Sequence, residues 1–137
     1  MALPYMVGAV RQALILSPAI TVPDDRISTR APDQVADPFI IVRVVSNVAV
    51  SAEVEAYSPL LHVRVQCAES ATGDPETITH DIAAAAQTLL ARLPVTEYQG
   101  SYFTTRVTDG AQPLPVDDTR GIPVFGSYLG VELLVHA

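Results

Sequence analysis

Within Leu60-Leu61-His62-Val63-Arg64-Val65-Gln66-Cys67 the residues from Leu61 onward alternate strictly between apolar and polar, and no other feature constrains the chain as much. Successive side chains of a strand point to opposite faces of a sheet. Leu61, Val63, Val65 and Cys67 therefore face a core, while His62, Arg64 and Gln66 face away from it. Upstream, Phe39-Ile40-Ile41-Val42-Arg43-Val44-Val45 is rich in β-branched residues and apolar on both faces, which reads as a second strand. Its period of two continues through Ile40, Val42, Val44, Val48, Val50, Ala52 and Val54, broken only by Ser46. The opposite face runs Arg43, Asn47, Ser51, Glu53 and Glu55. With neither Gly nor Pro before Pro59, the turn joining the two strands falls somewhere in 47–56.

Helical spacing appears twice. Asp74 suits a cap, Pro75 the first helical position and Glu76 the first turn, where the helix dipole favours an anion. Ile78, Ile82, Ala85, Ala86, Leu89 and Leu93 then make one apolar stripe, Gln87 is expected outside it, and Pro94 stops the helix after Arg92. The low bulk of Ala83 to Ala86 lets this helix lie close to a sheet. Near the N-terminus Pro4 is tolerated in a first turn, Met6, Val7, Val10, Ala13 and Leu14 fall at helical spacing, and Pro18 closes the segment near Leu16. From Ser17 to Asp37 the prolines and aspartates read as loop, interrupted by a short strand at Arg26–Thr29. Further strands are expected at about Tyr98–Thr108 and Val124–Val135, the latter with Leu129, Val131, Leu133 and Val135 on one face and Tyr128, Glu132 and His136 on the other. Asp109 to Gly121 reads as a long loop, a feature that is usually functional or ordered by a partner. The order of elements predicts an α+β fold, an antiparallel β-sheet with two helices packed on one face, in one domain spanning 1–137.

Charge excludes several functions. Charged residues are 17% of the 137, against about 25% in an average soluble domain, which implies that other protein covers part of the surface. Net charge is −7 and there is no Lys; the eight arginines, from Arg11 to Arg120, are spread along the chain and form no cluster in sequence. Such a chain offers no stripe of cations to follow a phosphate backbone, so nucleic-acid binding is disfavoured. Cys67 stands alone, which rules out a disulfide within the chain and a cysteine zinc site. The first residues lack the pattern of a signal peptide, and no apolar run approaches the roughly 18 residues of a spanning helix. A soluble protein of a reducing compartment, without membrane contact, is expected.

Side chains that could carry chemistry are few. His62, His80 and His136 have no ligand at metal spacing and read as solvated histidines. Cys67 completes an inward pattern and reads as a buried, inert thiol. The pairs Asp24-Asp25 and Asp117-Asp118 lack a third ligand and read as solvated loop residues. Gly126-Ser127-Tyr128-Leu129-Gly130 is not a nucleophile elbow, and no glycine-rich phosphate loop occurs. The tyrosines read as core edge or interface. No catalytic residue, cofactor or metal is expected, and the chain is read as a non-enzyme.

What remains is surface. An apolar strand face extending beyond the core, and a long Pro-rich loop, are features that proteins commonly cover by oligomerising. Subunit or partner contacts are accordingly expected at Val48, Val50, Glu53, Val54 and Glu55, and at Pro113, Leu114, Pro115, Asp117, Asp118 and Arg120. The order and texture of the whole chain resemble the tail terminator (tail-completion) proteins of long, non-contractile-tailed bacteriophages. The matching features are the N-terminal helix, Asp25-Arg26-Ile27, the strand Pro38-Phe39-Ile40-Ile41-Val42, and Val63-Arg64-Val65-Gln66-Cys67-Ala68-Glu69-Ser70 running into an alanine-rich helix, with a two-stranded C-terminal half.

That resemblance implies a structural virion protein, six copies of which form a ring on the finished tail tube. The ring stops tube polymerisation and joins the tail to the head connector. Its implied partners are further copies of itself, the tail tube protein and a head-tail connector or stopper protein. It implies assembly in the host cytoplasm and residence in the virion tail or neck, with DNA passing through but not gripped. Head-closure and tail-tube subunits are neighbouring roles, and a small α+β ligand-binding module is the reading outside the phage.

Overall fold

The alternating run at 60–67 lies in the middle of a six-stranded sheet. The computed structural model describes residues 5–51, 56–68 and 73–136, with backbone alone for 47–51, 56, 57 and 136. The chain forms α1 (Val7–Leu16), a 3-10 turn at Asp24–Arg26, β1 (Ile27–Ser28), β2 (Phe39–Ser51), β3 (Ala56–Ala68), α2 (Pro75–Ala91), β4 (Thr96–Tyr98), β5 (Ser101–Pro113) and β6 (Val124–His136). The strand order is β1-β2-β3-β6-β5-β4, and the fold is α+β as expected. One pairing departs from the antiparallel expectation: β1 runs parallel to β2, with Ile27 opposite Ile40. The loop 29–38 carries the chain back to its starting end, which a parallel neighbour requires.

Both helices cover one face. Leu61, Val63 and Val65 of β3, Ile40 and Val42 of β2, and Leu129, Val131, Leu133 and Val135 of β6 are sealed there against Val10 and Leu14 of α1 and Ala83, Ala86 and Leu90 of α2. Each such aliphatic burial is worth about 1.5–3 kcal/mol relative to exposure. On the opposite face the loop bearing Ala31 and Val35 covers only Phe39, Ile41, Ala68 and Val124. The Val35 carbonyl accepts from the Ala68 N–H at 2.7 Å and fastens that loop to the end of β3.

Four local expectations are corrected. The inward face of α2 is Thr79, Ala83, Ala86 and Leu90, whereas Ile82, Ala85, Leu89 and Leu93 flank it, half-buried. The uniform alternation of β2 breaks at a register shift between Val44, opposite Leu61, and Ser46, opposite Leu60; Val45 is the extra residue and is 52% exposed. The strand expected from Tyr98 is two strands, joined through Gln99 (φ 50°) and Gly100 (φ 84°), the paired positive angles of a type I′ hairpin turn. Finally, the loop expected from Asp109 begins at 114. β5 continues to Pro113 through shifts at Val107/Asp109 and Asp109/Gln112, which erase the period of two without ending the pairing. The β2–β3 turn expected within 47–56 falls between Ser51 and Ala56, outside the described residues.

Helix α2 starts as its sequence dictates: the Asp74 carboxylate accepts from the Thr77 N–H at 3.2 Å, with Pro75 at the first position. Cys67 lies beneath this start, fully buried, with its Sγ 3.8 Å from the Pro75 carbonyl oxygen. Burial first, and then the charges of Asp37 and Asp74, push its pKa up to about 11. Because the thiolate is the reactive form, iodoacetamide at neutral pH should label native Cys67 at least about 100-fold more slowly than the unfolded chain. Mass spectrometry of timed quenches measures this, and labelling of the native protein at the unfolded rate would contradict the packing. Among the described residues no helix is long and apolar enough to cross a membrane.

Candidate functional site

The register of β2 on β3 sets Ile41 opposite Arg64 and Arg43 opposite His62. Arg43 and Arg64 thus become diagonal neighbours on the face that carries no helix. Two loops reach the same end of that face. From one comes Arg30, from the other Asp117 and Arg120, and together with Arg43 and Arg64 they line an open cavity of about 370 Å³ with Phe39 and Ile41 in its floor. Four of the eight arginines thus cluster, although they are spread along the chain.

Each loop is held by groups that can be named. Arg26 donates from Nε to the Pro38 carbonyl at 3.0 Å and from Nη2 to the carbonyls of Gln34 and Asp37 at 2.8 and 2.6 Å. Its guanidinium also lies 6.0 Å from the centroid of the Phe39 ring. On the other side, Asp117 and Val124 exchange both backbone hydrogen bonds, at 3.0 and 2.8 Å, and the Leu114 N–H donates to the Gly126 carbonyl at 2.9 Å. Glycine is required at 126: a Cβ there would stand 2.9 Å from the Val65 carbonyl oxygen and 2.8 Å from Gln66 Cγ.

The cavity's electrostatics follow from what its side chains already hold. Arg43 Nε donates to the Thr29 carbonyl and Arg120 Nη1 to the Pro32 carbonyl, both at 3.2 Å. Each has further N–H groups, since a guanidinium carries five. Arg30 and Arg64 make no hydrogen bond or ion pair among the described residues. The one carboxylate, Asp117, accepts from the Thr119 hydroxyl at 2.6 Å and the Thr119 N–H at 2.9 Å. Those bonds, aided by Arg120, hold its carboxyl below the usual range, so it stays charged wherever an ordinary Asp does. Four guanidinium groups face one carboxylate. The paired N–H donors of a guanidinium match the geometry of a carboxylate or phosphate. No group of three His, Cys, Asp or Glu able to hold a metal occurs among the described residues.

Of the expected contact residues, the structure gathers one set and leaves the other apart. Asp117 and Arg120 line the cavity, Leu114 is half-buried behind it, Pro113 ends β5 opposite Ser127, and Pro115 and Asp118 are exposed on the same loop. Val48 and Val50 belong to the far end of β2, where Val48 pairs with Ser58, away from the Phe39–Gln66 end that borders the cavity. Glu53, Val54 and Glu55 lie outside the described residues. Sequence reasoning missed Arg30, Arg43 and Arg64. The outward phase of Arg43 and Arg64 was legible in the alternation, but their adjacency needed the strand register. Elsewhere on this face His62 and Tyr128 have ring centroids 5.2 Å apart, and Arg106 pairs with Glu132 at 3.2 Å, exposed enough to contribute little. No family model matches the chain and no curated protein matches it, so the arginine cavity is characterised by its own chemistry.

Proposed function

We propose that this chain is a structural subunit of a bacteriophage tail. Copies of it, six in the reading that its resemblance favours, form a ring on the finished tail tube, end tube growth and join the tail to the head connector or stopper. The protein then resides in the virion neck, lets DNA pass without gripping it, and performs no catalysis. The observation that carries this reading is the sheet face left without a helix. β2, β3, β5 and β6 each span 13 residues, and beyond the loop-covered end the described outer-face residues His62, Tyr128, Glu132 and Leu134 reach solvent.

On that face Leu134 and Tyr102 are each 45% exposed, and on the helix side Leu16 is 72% exposed. Two different sticky surfaces on one chain suit a heterologous contact, and such contacts close into rings when the rotation permits. Deleting the gene from the phage that carries it tests the reading. Electron microscopy should show tails of uncontrolled length, unjoined to filled heads. Tails of normal length joined to heads would overturn the terminator assignment. Tails of normal length that fail to join would reassign the ring to head closure, and an absence of tails would make it a tube subunit.

A further inference from the structure

We infer that the arginine cavity is a subunit contact, and that its occupant is a carboxylate-bearing surface of a second copy of this chain. The inference rests on the reading that copies assemble, and it names the surface through which they do so.

The charge distribution points to this occupant. The chain has eight basic and fifteen acidic residues; removing the cavity's four arginines and Asp117 leaves four against fourteen. The rest of every copy is therefore strongly acidic, while this one place is cationic. Cavity against cavity would oppose four guanidinium groups to four, so a symmetric contact through this site is repelled. Cavity against an acidic surface elsewhere on a second copy is attracted, and that pairing joins two different surfaces, as a heterologous contact does. Exposed carboxylates are available: the side chains of Asp24, Asp25, Glu97 and Asp109 make no hydrogen bond or ion pair among the described residues.

The cavity is also prepared to receive them. The backbone carbonyls of Thr29 and Pro32 hold Arg43 and Arg120, so those two side chains are partly ordered before any partner arrives. Arg30 and Arg64 keep all their donors for it. Phe39 and Ile41, already buried under the loop, give the cavity an apolar base, and a partner that excludes water above it would strengthen the charged hydrogen bonds.

Two measurements on the purified full chain test the inference. In the first, sedimentation of concentrated protein is followed across a series of NaCl concentrations. Association should weaken as salt rises, because exposed ion pairs are screened. The double variant Arg43→Glu/Arg64→Glu should associate at least about tenfold more weakly at low salt. Arg43→Ala/Arg64→Ala should lie between, and circular dichroism should show both variants folded.

In the second, a photo-crosslinking amino acid replaces Gln66, a neutral residue of the cavity wall, in an equal mixture of isotopically light and heavy chains. Mixed-isotope crosslinks to peptides containing Asp24 and Asp25, Glu97 or Asp109 are expected. Crosslinks only within one chain, or association unchanged in the charge-reversed variant, would overturn the inference. So would saturable binding of inorganic phosphate that leaves association untouched, since the cavity would then be a free-anion site. Failure here leaves the deletion phenotype free to stand, and normal tails in the deletion phage leave the self-contact free to stand.

Discussion

Leu90→Ala is expected to destabilise the protein by about 2–5 kcal/mol, the range for truncating a buried leucine whose surroundings cannot collapse. Leu90 is fully buried in the last turn of α2, and its carbonyl oxygen accepts from the Thr105 hydroxyl of β5. The neighbouring Leu89→Ala should cost clearly less, because Leu89 is only half-buried on the flank of the helix. The sequence pattern favours the opposite ranking, with Leu89 in the stripe. Gln87, expected to be idle, accepts from the Ala111 N–H at 2.8 Å and steadies the irregular end of β5. Its replacement by Ala should therefore cost about 1 kcal/mol, a typical net hydrogen bond. Urea midpoints of the three variants check this, and equal midpoints for the Leu89 and Leu90 variants would show the helix phase to be wrong.

Arg26→Ala should cost about 2–3 kcal/mol, and Arg26→Lys should recover only a small part. One guanidinium serves three carbonyl oxygens, those of Gln34, Asp37 and Pro38, and faces the Phe39 ring. Hydrogen bonds from a charged donor are worth about 1.5–3 kcal/mol where water is excluded, and partial exposure here trims their sum. Lysine is a point charge without the planar fork, so it cannot satisfy three oxygens in these directions. The loss should be local as well as global. Loop 29–38 borders the arginine cavity, so amide exchange in residues 29–38 should accelerate in Arg26→Ala while exchange in β3 and β6 follows global stability. Equal acceleration throughout the sheet would mean that Arg26 does not act on the loop in particular.

The central strands could be read from the residues alone, and so could the fold class. The inward set Leu61, Val63, Val65 and Cys67 and the set Leu129, Val131, Leu133 and Val135 are all fully buried. A period of two with one apolar face has one satisfactory placement, and a slip by one residue would expose every member. The start of α2 was legible for a similar reason, because Asp74, Pro75 and Glu76 act through bonds and dipoles within four residues of one another.

The phase of α2 was not. Thr79 turns inward because its hydroxyl donates to the Pro75 carbonyl at 2.9 Å, which removes the cost of burying it, and the alanines from 83 to 86 carry no phase of their own. The continuation of β5 was hidden by register shifts, which displace side chains from a period of two while the backbone stays paired. The site was hidden most completely. Arg30, Arg43, Arg64 and Arg120 are scattered over ninety-one positions of sequence, and nothing local relates them. Composition and alternation determined which of these side chains point away from the core. Only the strand register and the two anchored loops decided that four like charges share one cavity, since like charges repel and are brought together only when stronger packing and hydrogen bonds elsewhere dictate where their backbones lie.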